Sequence, residues 1–92
     1  MPLTPGQRAV LERSDGLCEY GAFHYQEYDV PGSAPHHIYG RQVSDDPRHI
    51  LCMSYELHVA YHRALKDHRG ERVTKARCEA VVQALYENWE GP

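Results

Sequence analysis

The sequence is short of several things, and each shortage narrows what the chain can be. No apolar run approaches the roughly 18 residues of a membrane span, and the start lacks the basic, apolar, small-residue series of a signal peptide. The expectation is a cytoplasmic chain with no membrane partner. Cysteine is scarce: Cys18, Cys52 and Cys78 are odd in number and make no Cys-x-x-Cys pair, which argues against a disulfide framework and for free thiols. Positive charge is not in excess, with 10 Lys and Arg against 13 Asp and Glu, so the total of −3 does not advertise a nucleic-acid binder. With 92 residues there is no room for a second domain, and 41% hydrophobic residues are too many for a disordered chain. What remains is one small folded domain, residues 1–92, with a compact core.

The charge that is present is unevenly placed. Residues 1–40 hold two basic against five acidic residues, a local sum of −3. Residues 41–77 hold Arg41, Arg48, Arg63, Lys66, Arg69, Arg72, Lys75 and Arg77 against five acids, a sum of +3, and residues 78–92 return to −3. The middle segment is where a polyanion would lie. A solvated helix face explains the same charges without a partner.

Histidine is abundant in one place. Of the 7 in the chain, His36, His37, His49, His58 and His62 fall between Pro35 and His62, a stretch that runs into the positive segment. The elements around them can be read from the pattern. Thr4-Pro5-Gly6-Gln7 carries a capping residue, a first-turn proline and a capping-box glutamine, so a helix is expected over about 5–14, ending near Gly16. Leu17 to Pro35 is broken by Gly21, Pro31, Gly32 and Pro35, with a short strand expected near Tyr25–Val30. Tyr20, Phe23, Tyr25 and Tyr28 there are read as core or rim aromatics rather than a base-stacking platform.

After Pro35, which favours an extended neighbour, His36-His37-Ile38 reads as a strand that sends His36 and His37 to opposite faces. Tyr39–Pro47 reads as a loop and His49–Met53 as the returning strand. Ser54 caps a helix with apolar Leu57, Ala60, Tyr61, Ala64 and Leu65, running toward Gly70. Thr74 caps a last helix, about 74–89, whose Cys78, Val81, Val82, Leu85, Tyr86 and Trp89 keep helical spacing. It is expected to close the core against the helix carrying His58 and His62, with Trp89 as anchor.

His58 and His62 are four apart on that helix, so both imidazoles project from one face within reach of a single ion. The Glu of the metalloprotease His-Glu-x-x-His motif is absent, since residue 59 is Val. Read together with Pro-His-His-Ile-Tyr-Gly-Arg upstream, the pair resembles the HNH endonucleases, whose ββα-metal core has a His-His-Ile strand, a polar loop, a second strand and a helix ending in His-x-x-x-His. The likeness covers roughly residues 17–62, the core motif extending to about 69. It implies an α+β fold: a mainly helical small domain around a ββα-metal core, with an N-terminal helix and a C-terminal packing helix.

The resemblance implies His37 as general base, with His36, His58 and His62 as ligands of one divalent metal ion. It places Arg41 in the loop after the base, where a cation holds phosphate, and with Arg48, Arg63 and Lys66 this makes a DNA-binding set. A nitrogen-rich ligand set favours Mn, Co, Ni or Zn over Mg, which prefers oxygen. The expected activity is metal-dependent hydrolysis of duplex DNA, nicking as a monomer, in the host cytoplasm if the chain is phage-encoded. The alternative is a catalytically silent nucleic-acid or metal-binding module of the same fold.

Two departures from the family pattern stand out. The family's middle Asn, which braces the catalytic loop, falls on His49, whose imidazole can still donate or accept a hydrogen bond and which joins the catalytic set on that ground. The family's structural zinc knuckle reads Cys18-x-x-Gly21 and Ser54-x-x-Leu57, one ligand of four, so no structural zinc is expected. Cys18, His24 and Cys52 are the residues from which an improvised site would have to be made.

Overall fold

In the computed structural model, which describes residues 2–87, the chain runs α1 (Pro5–Ser14), α2 (Glu19–Tyr25), β1 (His36–His37), a 3-10 turn (Pro47–His49), β2 (Ile50–Leu51), α3 (Tyr55–Arg63) and α4 (Lys75–Glu87). This is a small α+β fold, with four helices and one two-stranded sheet among the described residues. None of those helices is long and apolar enough to cross a membrane.

α1 forms where its cap dictates. Thr4 Oγ1 accepts from Gln7 N at 3.1 Å and Gln7 Oε1 accepts from Thr4 N at 3.0 Å, closing a capping box over Pro5. Asp15, at φ 55°, ends the helix, and Val10 from its buried face packs with Ile50 and Cys52.

α2 corrects the expectation of an irregular stretch with a strand near Tyr25–Val30. Cys18 is the cap: its Sγ accepts from Gly21 N at 3.3 Å, and Glu19 in the first turn complements the helix dipole. Gly21, read as a breaker, lies buried inside the helix, and the turn that ends it comes at Gln26, φ 55°. Among the described residues, the only strand-like pairing of this region is the bridge between Leu17 and Pro31. Tyr20 from α2 is fully buried in the core, whereas Phe23 and Tyr28 are exposed.

β1 and β2 pair antiparallel, His36 opposite Leu51 and His37 opposite Ile50, and the ladder is extended by Ile38 N donating to His49 O at 2.9 Å. Ile50 and Leu51 are fully buried, so burial on both sides of β2 fixes the register of β1 as well. Ser54 then caps α3, its Oγ accepting from Leu57 N at 3.2 Å. That helix stops at Ala64, φ 54°, well short of Gly70. The Asp67 carboxylate takes the amides of Arg69 (2.8 Å) and Glu71 (3.0 Å) into a turn closed by the Lys66–Arg72 bridge, a local alternative to further helix. Ala64 and Leu65, read as part of that helix's apolar spacing, therefore lie beyond its last turn and are exposed.

α4 begins after Thr74, whose Oγ1 accepts from Arg77 N at 3.2 Å. Cys78, Val81 and Val82 are buried and share one core with Tyr20, Leu51, Leu57 and Ala60. Its principal packing partners are α2, the 3-10 turn and β2, so it meets α3 through this shared core rather than as its main cover. Trp89, the expected anchor, lies outside the described residues. All three cysteines are free and buried.

One polar network ties most of these elements together. Arg13 of α1 grips Glu19 of α2 with two bonds of 2.7 Å, and donates to Pro47 O, Ile50 O and the Tyr86 hydroxyl, while Glu19 accepts from Cys52 N. Both side chains are almost fully covered, 12% and 8% exposed. A covered charge stripped of its partner typically costs about 3–5 kcal/mol, so the pair acts as a fixed joint beneath the sheet.

Candidate metal centre

The two residues of β1 are sent apart by strand alternation. His36 faces α3, where its ring centroid lies 5.0 Å from that of His58, 5.2 Å from His62 and 4.5 Å from Tyr61. On α3 the four-residue spacing stacks His58 and His62 one turn apart, Nε2 to Nε2 at 2.9 Å. His36, His58 and His62 each bring one ring nitrogen into a group whose members all lie within 4.8 Å of one another. Among the described residues no other group of three His, Cys, Asp or Glu does so.

His36 is 7% exposed, and its Nε2 is shut away from water with no hydrogen-bond partner among the described residues. Burial first, then the neighbouring His58, His62 and His37, pushes its pKa from 6.5 down to about 4. Burial and then His62 also push His58 down. His36 is thus neutral at physiological pH, and its buried Nε2 finds no partner among the described residues. A buried imidazole nitrogen without a donor is costly unless something fills the role, and a cation is what a lone pair fits. The three ring nitrogens lie close enough together to bind one metal ion.

His37 lies on the other face. Its Nε2 is 2.8 Å from Asp45 Oδ1, and 8% of its side chain is exposed. Asp45 also accepts from Thr4 Oγ1 at 2.5 Å and from Gly6 N at 2.9 Å. The Thr4 hydroxyl first, then His37 and the Gly6 amide, hold its pKa down at about 2. His49 sits outside the metal group. Its Nδ1 is 2.7 Å from Ser44 Oγ, which in turn accepts from Asp46 N at 3.1 Å, and its ring packs edge-on to Tyr39. The loop between the strands is therefore fastened at both histidines.

The basic residues separate into two kinds. Arg48 is engaged by Asp46, Nη2 to Oδ2 at 2.7 Å, which offsets its charge. Arg41, Arg63 and Lys66 are exposed and make no side-chain hydrogen bond or ion pair among the described residues. Cys18, His24 and Cys52 do not assemble: Cys18 caps α2, His24 Nε2 faces Arg77 O at 3.0 Å, and Cys52 Sγ points at Ser33 O. Sequence reasoning missed Asp45, Thr4 and Gly6, whose meeting joins residues some forty positions apart and leaves no local pattern. It also missed Tyr61 as a wall of the histidine group. Comparison with protein-family models, curated proteins and solved structures gave no match.

Proposed function

We propose that the protein is a metal-dependent DNA endonuclease of the HNH type. The observation that carries this reading is the division of labour at β1: His36 joins His58 and His62 in a metal-sized group, while His37, its neighbour, turns to a carboxylate. The order strand, loop, strand, helix, with a His-His pair on the first strand and a His-x-x-x-His pair on the helix, is what the resemblance to that family implies.

His36, His58 and His62 would hold one divalent ion, manganese or another transition metal by ligand type. Bound there, such an ion supplies polarisation of a phosphoryl oxygen and stabilisation of the leaving 3′ oxygen. His37, held against Asp45, takes the proton of the attacking water. His49 holds the loop through Ser44. Arg41, Arg63 and Lys66 supply cations for the phosphate backbone of duplex DNA, with Arg48 a weaker member because of Asp46. A single site of this kind cuts one strand at a time, so the monomer nicks.

A second reading has its own observation. His37 is nearly covered and already bonded, so the His37–Asp45 pair also makes sense as a structural lock in a silent metal- or nucleic-acid-binding module. Incubating supercoiled plasmid with the protein and Mn²⁺ or Mg²⁺ separates the two. Conversion to open circle that stops with chelator and is missing in His58→Ala supports the nuclease. Metal-independent conversion, or none with any divalent ion, rejects it.

A further inference from the structure

The geometry points to Asp45 as the residue that positions His37, fixing hydrogen on Nε2 and leaving the lone pair on Nδ1. The assignment of that lone pair to proton transfer rests on the nuclease reading. The tautomer itself rests on geometry alone. Asp45 is ionised at neutral pH, since the Thr4 hydroxyl, His37 and the Gly6 amide hold its pKa at about 2. A carboxylate only accepts hydrogen bonds, so the 2.8 Å approach requires His37 Nε2 to be the donor. In the neutral ring Nδ1 is then the proton acceptor. It has no partner among the described residues and is not among the buried atoms left unpaired.

What holds Asp45 comes from the first turn of α1. Oδ1 takes the Thr4 hydroxyl as well as the ring, and Oδ2 takes Gly6 N. The approach is so close that a Cβ on Gly6 would lie 2.0 Å from Asp45 O and 2.8 Å from its Cγ. Only glycine admits it. On the far side of Asp45 the Ser44–His49 bond fastens the same loop. The chain from Thr4 to Gly6 is thereby part of the site's support, although it is remote in sequence from every histidine of the site. Thr4 and Gly6 alone would anchor the loop. The third bond, onto an almost covered ring, is what makes Asp45 a positioning residue.

Long-range ¹H–¹⁵N spectra of the full-length, metal-free protein, at a pH where imidazole is neutral, read the tautomer directly, with His37→Gln identifying the signals. The expected result is a single His37 tautomer with hydrogen on Nε2, collapsing to a mixture in Asp45→Ala and shifting the same way in Gly6→Ala. Hydrogen on Nδ1 in the wild type overturns the assignment without recourse to any variant, as does a doubly protonated ring. An unchanged single tautomer in Asp45→Ala overturns it too. In plasmid nicking at saturating Mn²⁺, Asp45→Ala should lower kcat by about 10- to 100-fold at unchanged KM for DNA and unchanged metal affinity. A loss confined to KM or to metal affinity contradicts positioning. A wild-type protein that never nicks removes the nuclease reading and the proton-transfer half of this assignment, and the spectra still decide the tautomer half.

Discussion

His36 and His37 are consecutive residues on a two-residue strand, and the two sides of that strand differ in almost every respect. The His36 side holds one buried imidazole with an unpaired nitrogen, the half-buried His58 and a tyrosine ring, and it opens to solvent at His62. The His37 side is polar and pinned by Asp45, Thr4 and Gly6. Two neighbouring imidazoles thus meet different partners: His36 lies with two other histidines, and His37 lies against a carboxylate. Facing, set by strand alternation, divides the chemistry.

The comparison breaks most severely on the His36 side. His58→Ala removes one of three nitrogens and should weaken Mn²⁺ or Zn²⁺ binding in calorimetry by more than the roughly 10- to 100-fold typical of losing an outer-shell partner. Unchanged affinity would show that the group is not a metal site. Acid should next separate the two sides by pH window. With His36 lowered from 6.5 to about 4, the unfolded chain binds the extra proton between those values, so stability present above 6.5 is lost as pH falls toward 4. Asp45, lowered from 3.8 to about 2, contributes stability that is present above 3.8 and is lost only as pH falls toward 2. Urea midpoints of the chelator-treated protein should therefore fall in two stages, the upper one flattened in His36→Gln and the lower one in Asp45→Asn. Identical profiles for both variants would erase the distinction.

Smaller effects sharpen the polar side. His49→Asn keeps a side chain able to bond Ser44, so nicking is expected to be equal or higher, and a fall would give His49 a chemical role. Replacing Arg63 and Lys66 together by Ala should reduce the log-log salt slope of DNA binding by roughly 0.9 for each phosphate that is no longer neutralised. An unchanged slope would make that face merely solvated.

How much of this is legible in the sequence depends on whether the signal is local. α1 and the starts of α3 and α4 are readable because Thr4, Ser54 and Thr74 cap them within three residues. The pairing of His58 and His62 is readable from their helical spacing, and His36 joins them through what the resemblance implies, an expectation that the three-histidine group matches. α2 is not, since its seven residues include Gly21 and are capped by a cysteine, an uncommon choice. The early end of α3 is hidden because it depends on Asp67 competing for backbone amides beyond the helix. Asp45 reaching Thr4 and Gly6, like Arg13 reaching Glu19, Pro47 and Ile50, exists only once the elements have packed.

The most direct test of the division between the faces is plasmid nicking by His37→Ala and His36→Ala across a Mn²⁺ series. His37→Ala should keep the ion yet lose about 10² to 10⁴-fold in turnover at every concentration, as removal of a general base does. His36→Ala should lose affinity first and recover part of its activity at high Mn²⁺. Wild-type nicking by His37→Ala, or a defect in it that added Mn²⁺ repairs, would contradict the account.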